Sequence, residues 1–390
     1  MKNVRELFDV LSSDASFENK YPQYDESDKL VHVLYVSPVL SGAGFYRMIG
    51  PMLEMNKTST HRSIINKIHK WDFARHFDDY DNPLDERLLG WAHYIVLPTI
   101  FSSIDYILEI IESTNPEAVV VMDIDQNYFD LGENHPLSKK ISSEMKEELL
   151  QNLMKVDKIL CATSGLSEVI TERLQLKTAE EDSQLLVIQS PELSMEAFKE
   201  LKVEERKEKS PDDLIRIGYV GSPADLEDFE TILSVLEDLQ KEEKKMELVF
   251  VGWNGTARGE NKAGELIYRY VKSVRFTEYY EKLNELELDM ILLPLKESKF
   301  NKGKTAVKYL EASAMGIPVI ASDVAPFNTL IEDGKNGMLC KIEDEWKAKI
   351  KLLISDEQLR KGIAEEARKV AWLNSSYEAE GVEKLLSLFI

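Results

Sequence analysis

Lys302-Gly303-Lys304-Thr305-Ala306-Val307-Lys308-Tyr309-Leu310-Glu311-Ala312-Ser313-Ala314-Met315-Gly316-Ile317-Pro318-Val319-Ile320-Ala321-Ser322 joins a lysine-rich approach to a helix and then to a strand. Its spacing predicts a helix over 306–315, ended by Gly316, with Pro318 opening a strand over 318–322. Thr305 is expected as the N-cap, and Val307, Leu310 and Ala314 as the buried stripe. Lys304, Lys308 and Glu311 fall at helical spacing and are expected to share the neighbouring face. Lys296, Lys299, Lys302, Lys304 and Lys308 crowd the approach to this helix, in a chain of formal net charge −22. Positive charge gathered at one helix start in an acidic protein points to a bound anion. The helix dipole and the N–H groups at its start, here Thr305 and Ala306, both favour phosphate. A solvated lysine–glutamate surface of little energetic weight is the plainer alternative.

Gly303-Lys304-Thr305 invites comparison with a nucleotide-binding P-loop. That motif needs a glycine five residues before the Gly-Lys pair, and Ser298 stands there. No strand runs directly into the loop either, so an NTPase is set aside.

Outward from this segment, short β-branched runs alternate with longer amphipathic ones, the pattern of parallel α/β sheets. Strands are expected over 31–37, 94–97, 118–122, 158–162 and 184–189, then over 215–220, 247–251, 289–294 and 318–322. Helices are expected over 104–113, 141–154, 167–174, 225–239, 279–286 and 356–372, with a final one over 378–390. A length of 390 residues suits two domains rather than one core. The Glu/Lys-rich stretch 191–213 is the expected linker. It separates a first Rossmann-like domain over 1–190 from a second over 214–372, with 373–390 returning to pack on the first. Open α/β sheets hold ligands at the carboxyl ends of their strands, so the site is expected between the two units.

Composition narrows the function classes. With 43% hydrophobic and 30% charged residues the chain reads as globular, and no apolar run is long enough for a membrane span. The polar start Met1-Lys2-Asn3-Val4-Arg5-Glu6 lacks a secretory pattern, so a cytoplasmic protein is expected. The acidic balance speaks against nucleic acid as a partner and leaves at most peripheral membrane contact. Cys161 and Cys340 each lie in a strand-like apolar run, so both are expected to be buried thiols. His32, His93 and His135 form no metal-ligand spacing and are read as structural or surface residues.

Several segments then resemble a known family. Residues 215–345 look like the donor-binding half of GT-B glycosyltransferases of the glycosyltransferase group 1 type (family 4). The resemblance is carried by Ile217-Gly218-Tyr219-Val220-Gly221-Ser222, Leu248-Val249-Phe250-Val251-Gly252 and Met290-Ile291-Leu292-Leu293-Pro294. The run Leu310–Ser322 and the tail Leu330-Ile331-Glu332-Asp333-Gly334-Lys335-Asn336-Gly337-Met338-Leu339 complete it. Gly42-Ala43-Gly44-Phe45-Tyr46-Arg47 and the run 123–127 are similar to a bacterial subgroup acting on surface polysaccharides.

The resemblance implies an α/β GT-B fold, two Rossmann-like domains facing across a cleft. It implies a retaining transfer of a sugar from a nucleotide-diphosphate donor, UDP-linked by default, to an acceptor hydroxyl. The acceptor would be a carbohydrate, glycoprotein or lipid-linked group; no cofactor or essential metal is expected, and a homo-oligomer or partner glycosyltransferase is allowed. Glu311 occupies the place of the second glutamate of a Glu-x7-Glu motif, which binds the nucleotide ribose. The first glutamate is replaced by Gly303. The bases that usually grip the diphosphate after Gly221 are absent from Ser222-Pro223-Ala224-Asp225-Leu226-Glu227. Lys304, with Lys302 or Lys308, is expected to replace that grip, since charge on a leaving diphosphate must be stabilised. Thr277 falls where family members hold the nucleobase through the backbone.

In the first half, Gly44 is expected to bring backbone close to the diphosphate and Arg47 to reach an anionic group; a plain tight turn is the alternative. Asp123-Ile124-Asp125 could hold a divalent ion, but one aspartate, Asp125 by preference, facing the acceptor hydroxyl is the reading adopted. Two other functions stay open: a GT-B subunit that only binds an acceptor or partner enzyme, and a nucleotide-sugar epimerase.

Overall fold

The computed structural model describes residues 2–80, 84–133, 135–176, 186–188, 193–198, 213–257 and 260–390. The chain forms two compact units. Unit 1 comprises Met1–Asp130, Lys139–Glu196 and Tyr377–Ile390, and unit 2 comprises Leu131–Ser138 and Ala197–Ser376. Of the expected linker, residues 191–192 and 199–212 lie outside the described residues.

Unit 1 is built on β1 (Val31–Val36), β2 (His61–Asn66), β3 (Tyr94–Leu97), β4 (Val119–Ile124), β5 (Lys158–Cys161) and β6 (Leu186–Ile188). They form one sheet in the order β2-β1-β3-β4-β5-β6, every pairing parallel. Strands buried on both faces read as continuous apolar runs, and β3 (Tyr-Ile-Val-Leu) is buried throughout. The C-terminal segment belongs to this unit: Phe389 is buried, its carbonyl faces His61 Nε2 at 3.2 Å, and its ring meets Tyr94 edge-on.

Unit 2 carries β7 (Ile215–Val220), β8 (Met246–Val251), a small antiparallel pair of β9 (Thr256–Ala257) and β10 (Glu260–Asn261), β11 (Tyr268–Val271), β12 (Met290–Leu293), β13 (Val319–Ser322) and β14 (Met338–Cys340). Its main sheet runs β11-β8-β7-β12-β13-β14, again parallel. Tyr219, Phe229, Phe250 and Trp253 form an aromatic core on one face, with Phe250 stacked on Tyr268 at 4.1 Å. The α/β class with two parallel sheets is the one expected; each sheet has six strands, more than the sequence suggests.

β2, β11 and β14 were not expected. All three are edge or near-edge strands whose polar or very short sequences (His-Arg-Ser-Ile-Ile-Asn, Tyr-Arg-Tyr-Val, Met-Leu-Cys) hide the β pattern. The helix expected over 225–239 is instead broken into Pro223–Asp225, Leu226–Phe229, Glu230–Ile232 and Leu233–Glu242, with tight 3₁₀ turns at the first and third pieces. The final helix is likewise split into a wide π turn, Tyr377–Gly381, and Val382–Ser387.

The glycine loop after β1 is helical rather than a tight turn. Gly42–Gly44 runs through a π turn at Phe45–Ile49 into Gly50–Met55. Gly44 is required there for space: a Cβ would stand 1.8 Å from the Val39 carbonyl oxygen.

Both sheets reverse their strand order near the centre. In unit 1 the reversal lies between β1 and β3, and in unit 2 between β7 and β12. The carboxyl ends flanking such a reversal are where open α/β sheets receive ligands. In unit 2 those ends lead into Gly221–Ser222 and into the lysine-rich segment beginning at Lys296.

Candidate functional site

The lysine-rich segment of unit 2 does not start its helix where its sequence suggests. A 3₁₀ turn, Asn301–Gly303, is followed by extended backbone at Lys304, and the helix is Val307–Ala314 with Ala306 at its N-cap position. Thr305 therefore does not cap it, and no side chain bonds to its first N–H groups. The helix is also more deeply set than an amphipathic stripe implies. Tyr309, Leu310, Ala312, Ser313 and Ala314 are buried, and Val307 is only half-buried. Glu311 is 6% exposed, so it belongs to the interior side and not to a solvent face.

Two carboxylates meet the lysines at this point. Lys304 Nζ lies 2.6 Å from Asp228 Oδ2 and 3.2 Å from Asp225 Oδ1. Lys308 Nζ lies 3.2 Å from the other Asp225 oxygen. One carboxylate thus bridges both cations. Asp228, with a side chain 6% exposed, is further held by Asn301 Nδ2 at 2.6 Å and the Lys296 N–H at 2.9 Å. Asn301 also donates to the Lys296 carbonyl, while its buried Oδ1 has no hydrogen-bond partner.

Asp225 sits on the turn Pro223–Asp225, where it accepts the Ser222 N–H at 2.9 Å and the Ser222 hydroxyl at 3.1 Å. The Ser222 hydroxyl in turn accepts from the Ala224 N–H, completing a capping box. Burial opposes the charge on Asp225, but Lys308 and Lys304 outweigh it and hold the carboxyl well below its ordinary value. Burial likewise opposes the charge on Lys304, and Asp225 and Asp228 more than restore it.

A carboxyl whose folded pKa is depressed stabilises the fold above its unfolded pKa and loses that contribution as pH falls toward the folded value. Asp225→Asn should therefore flatten the decline in melting temperature below about pH 4, the unfolded carboxylate range. Thermal melts between pH 3 and 7 would read this; an unchanged acid limb would remove the ion pairs from the explanation.

His135 completes this corner from the segment Leu131–Ser138, which belongs to unit 2 by its contacts. Its ring meets Phe300 edge-on at 5.1 Å, and Lys304 Nζ lies 5.4 Å from the same Phe300 ring. Burial and the nearby Lys304 charge hold the imidazole below its ordinary pKa.

Further along the helix, Glu311 Oε1 accepts from the Tyr280 hydroxyl at 2.9 Å and Oε2 from the Tyr279 hydroxyl at 3.4 Å. Both tyrosines come from the helix Phe276–Glu285, whose first turn also carries the half-buried Thr277. Burial, then Glu311, drives the Tyr279 hydroxyl well above its ordinary pKa, so it remains a donor. A carboxylate held this way cannot swing. Tyr280→Phe should lower the unfolding free energy by about 1.5–3 kcal/mol, the worth of a hydrogen bond to a charged group. Urea denaturation measures it, and a loss below about 0.5 kcal/mol would mean Glu311 is oriented by other contacts.

In unit 1, Arg47 is buried on the π turn Phe45–Ile49. Its Nε donates to Asp123 Oδ1 at 2.8 Å, its Nη2 to the same oxygen, and its Nη2 also to the Leu160 carbonyl at 3.3 Å. The anionic group Arg47 reaches here is therefore Asp123 at the end of β4. Burial raises the Asp123 carboxyl to about 6, with Arg47 pulling it down. Burial opposes the Arg47 charge, and Asp123 outweighs it. Asp125 is half-buried and accepts from the Tyr128 hydroxyl at 2.7 Å. The Asp123-Ile124-Asp125 run is thus occupied by an arginine and a tyrosine. Among the described residues no group of three or more His, Cys, Asp or Glu side chains is arranged to hold a metal ion.

The structure thus brings Ser222, Lys304, Lys308 and, through Asp225, the end of β7 into one cluster. Gly221 leads into it, Lys302 is exposed on the adjoining turn, and Glu311 lies further down the helix. Arg47, Gly44 and Asp125 lie in the other unit. Sequence reasoning missed Asp225, Asp228, Asn301, Tyr279, Tyr280 and His135. The available signal was Asp225 and Asp228, three apart and therefore on one helical face, just where the bases were lacking.

Comparison with known proteins agrees with this architecture. Residues 201–370 match the sequence model of the family described as glycosyl transferases group 1. No curated protein sequence matches the chain. Among solved structures, a glycosyltransferase from Rickettsia africae superposes with a TM-score of 0.60 at 16% identity, covering 93% of this chain and 98% of that one. Anabaena HepE in complex with UDP-glucose gives 0.58 at 11% identity, with 92% and 98% covered. An S. aureus TarM mutant in complex with fondaparinux, alpha-GlcNAc-glycerol and UDP gives 0.50 at 15% identity, covering 76% of this chain and 55% of that one. The chain thus spans about half the length of that TarM. At such identities the likeness establishes the fold, which is GT-B. No helix among the described residues is long and apolar enough to cross a membrane.

Proposed function

We propose that this chain transfers a sugar from a nucleoside-diphosphate donor, UDP-linked by default, to an acceptor hydroxyl of a carbohydrate, glycoprotein or lipid-linked group. The observation that carries this reading is the constellation on one helix of unit 2. Two lysines stand at its entry, and a buried carboxylate held by two tyrosine hydroxyls stands beyond them. Lysines at a helix start suit a diphosphate, and a fixed carboxylate suits the vicinal hydroxyls of the adjoining ribose. The group 1 family match over the same residues and the UDP-bound neighbours support it.

Chemistry at such a site needs charge stabilisation more than a protein nucleophile. As the bond between the sugar and the phosphate oxygen breaks, Lys304, Lys308 and the N–H groups of the helix start meet the growing negative charge. The acceptor oxygen bonds to the anomeric carbon on the face from which the phosphate departs, and a phosphate oxygen of the leaving group takes its proton, so transfer proceeds with retention. No metal is required in this scheme. In unit 1, Asp125, oriented by Tyr128, is the acceptor-side carboxylate, and Arg47 positions the strand end through Asp123.

One observation favours a second reading. Asp225 and Asp228 neutralise the two lysines, and Gly303 offers no carboxylate, as in a subunit that binds a partner or acceptor without catalysis. Nucleotide release separates the readings. The transferase liberates UDP from a UDP-sugar in proportion to added carbohydrate acceptor. An epimerase alters the sugar with no acceptor present, and a non-catalytic subunit does neither; either result would replace the transferase reading.

A further inference from the structure

Resting on the donor site just described, we infer that Asp225 is an internal competitor for the donor's anionic group and so sets which anions the site admits. Its carboxylate does what a bound phosphate oxygen pair would do: one oxygen meets Lys304 and the other Lys308, each at 3.2 Å. Those distances are long for a charge-assisted contact, which usually falls at about 2.7–2.9 Å. Asp228 differs in kind. It contacts Lys304 at 2.6 Å, is 6% exposed, and is held by Asn301 and the Lys296 N–H besides. Asp228 is the permanent partner that positions Lys304, and Asp225 is the replaceable one.

The local anatomy makes the exchange feasible. Asp225 has a second set of partners within its own turn, the Ser222 N–H and hydroxyl, which meet the same oxygen as Lys308. The turn is three residues long and the Asp225 side chain is 18% exposed, so a small rotation suffices to move the carboxylate toward solvent. With Asp225 in place, two ammonium groups face two carboxylates and the cluster is neutral. With Asp225 withdrawn, one positive charge is uncovered beside the helix start, where N–H groups lack side-chain caps. A small singly charged anion gains too little from that single charge to displace a tethered carboxylate. A diphosphate reaches both lysines and the helix N–H groups at once, and the ribose engages Glu311. Asp225 thus acts as a threshold that favours the whole nucleoside diphosphate over its fragments.

Calorimetric titration of UDP, inorganic pyrophosphate and inorganic phosphate into the full chain and into Asp225→Asn tests this. Asn keeps an oxygen for the Ser222 N–H and removes the charge. Asp225→Ser serves as a second variant, with circular dichroism and melting temperature confirming that each folds. The expected result is UDP binding roughly tenfold tighter in both variants, a change of about 1.4 kcal/mol, with a larger gain for pyrophosphate and measurable phosphate binding. If the parent chain binds UDP and the variants bind it equally or more weakly, the competitor role is overturned while the donor site stands. If no form binds UDP or pyrophosphate, the donor site itself falls and the inference with it.

Discussion

Arg47→Met is expected to lower the unfolding free energy of the chain by about 3–5 kcal/mol, the usual consequence of leaving a buried charge without its partner. Both members of the pair are buried, and Arg47 spends two nitrogens on one Asp123 oxygen before reaching the Leu160 carbonyl. The double variant Arg47→Met/Asp123→Leu should recover most of that loss, because a buried ion pair contributes little over apolar residues of similar volume. The two measurements together distinguish a stranded charge from a simple packing defect. If the double variant is less stable than the single one, lost packing around the π turn outweighs the stranded charge. Activity is expected to fall in both, since the strand end bearing Asp125 loses its anchor to the helix after β1.

The second large effect is expected from Lys304→Ala. It removes a contact of the proposed diphosphate grip and should weaken UDP binding and turnover by roughly 100-fold, about 2.7 kcal/mol. It also strands Asp228, although Lys304 is 22% exposed and solvent screening moderates the loss to about 1–3 kcal/mol of stability. Lys304→Ala/Asp228→Asn separates the two consequences, because it should restore stability without restoring nucleotide affinity. Turnover and donor affinity left untouched by Lys304→Ala would show that the diphosphate is gripped elsewhere.

How far the sequence could be read depended on burial. A central strand such as β3 stands out because both faces are covered and the run is apolar throughout, and β3 and β7 both occur at the residues expected. Edge strands such as β11 carry exposed residues on a half-polar run and look like loop. The helix after Lys304 was visible as an element, but its surroundings were not. Spacing places Glu311 on the same side as Lys308, yet only tertiary packing reveals that Tyr279 and Tyr280 close over it.

Charge was the least legible feature. The lysines announce themselves against a net charge of −22, but the carboxylates that neutralise them are about eighty residues away in sequence, as in the 79 positions between Asp225 and Lys304. The 3₁₀ turn Pro223–Asp225, which delivers Asp225, follows from the capping serine and the proline behind it. Its meeting with Lys304 follows from β7 and β12 being neighbours in the sheet, a fact of topology that no local pattern encodes.

The most direct test of the donor site is a crystal structure of the chain soaked with UDP. The diphosphate is expected between Lys304 and Lys308, the ribose hydroxyls on Glu311, and the Asp225 carboxylate turned away from both lysines. UDP bound away from this helix, or the lysines still closed on Asp225 with nucleotide present elsewhere, would contradict it.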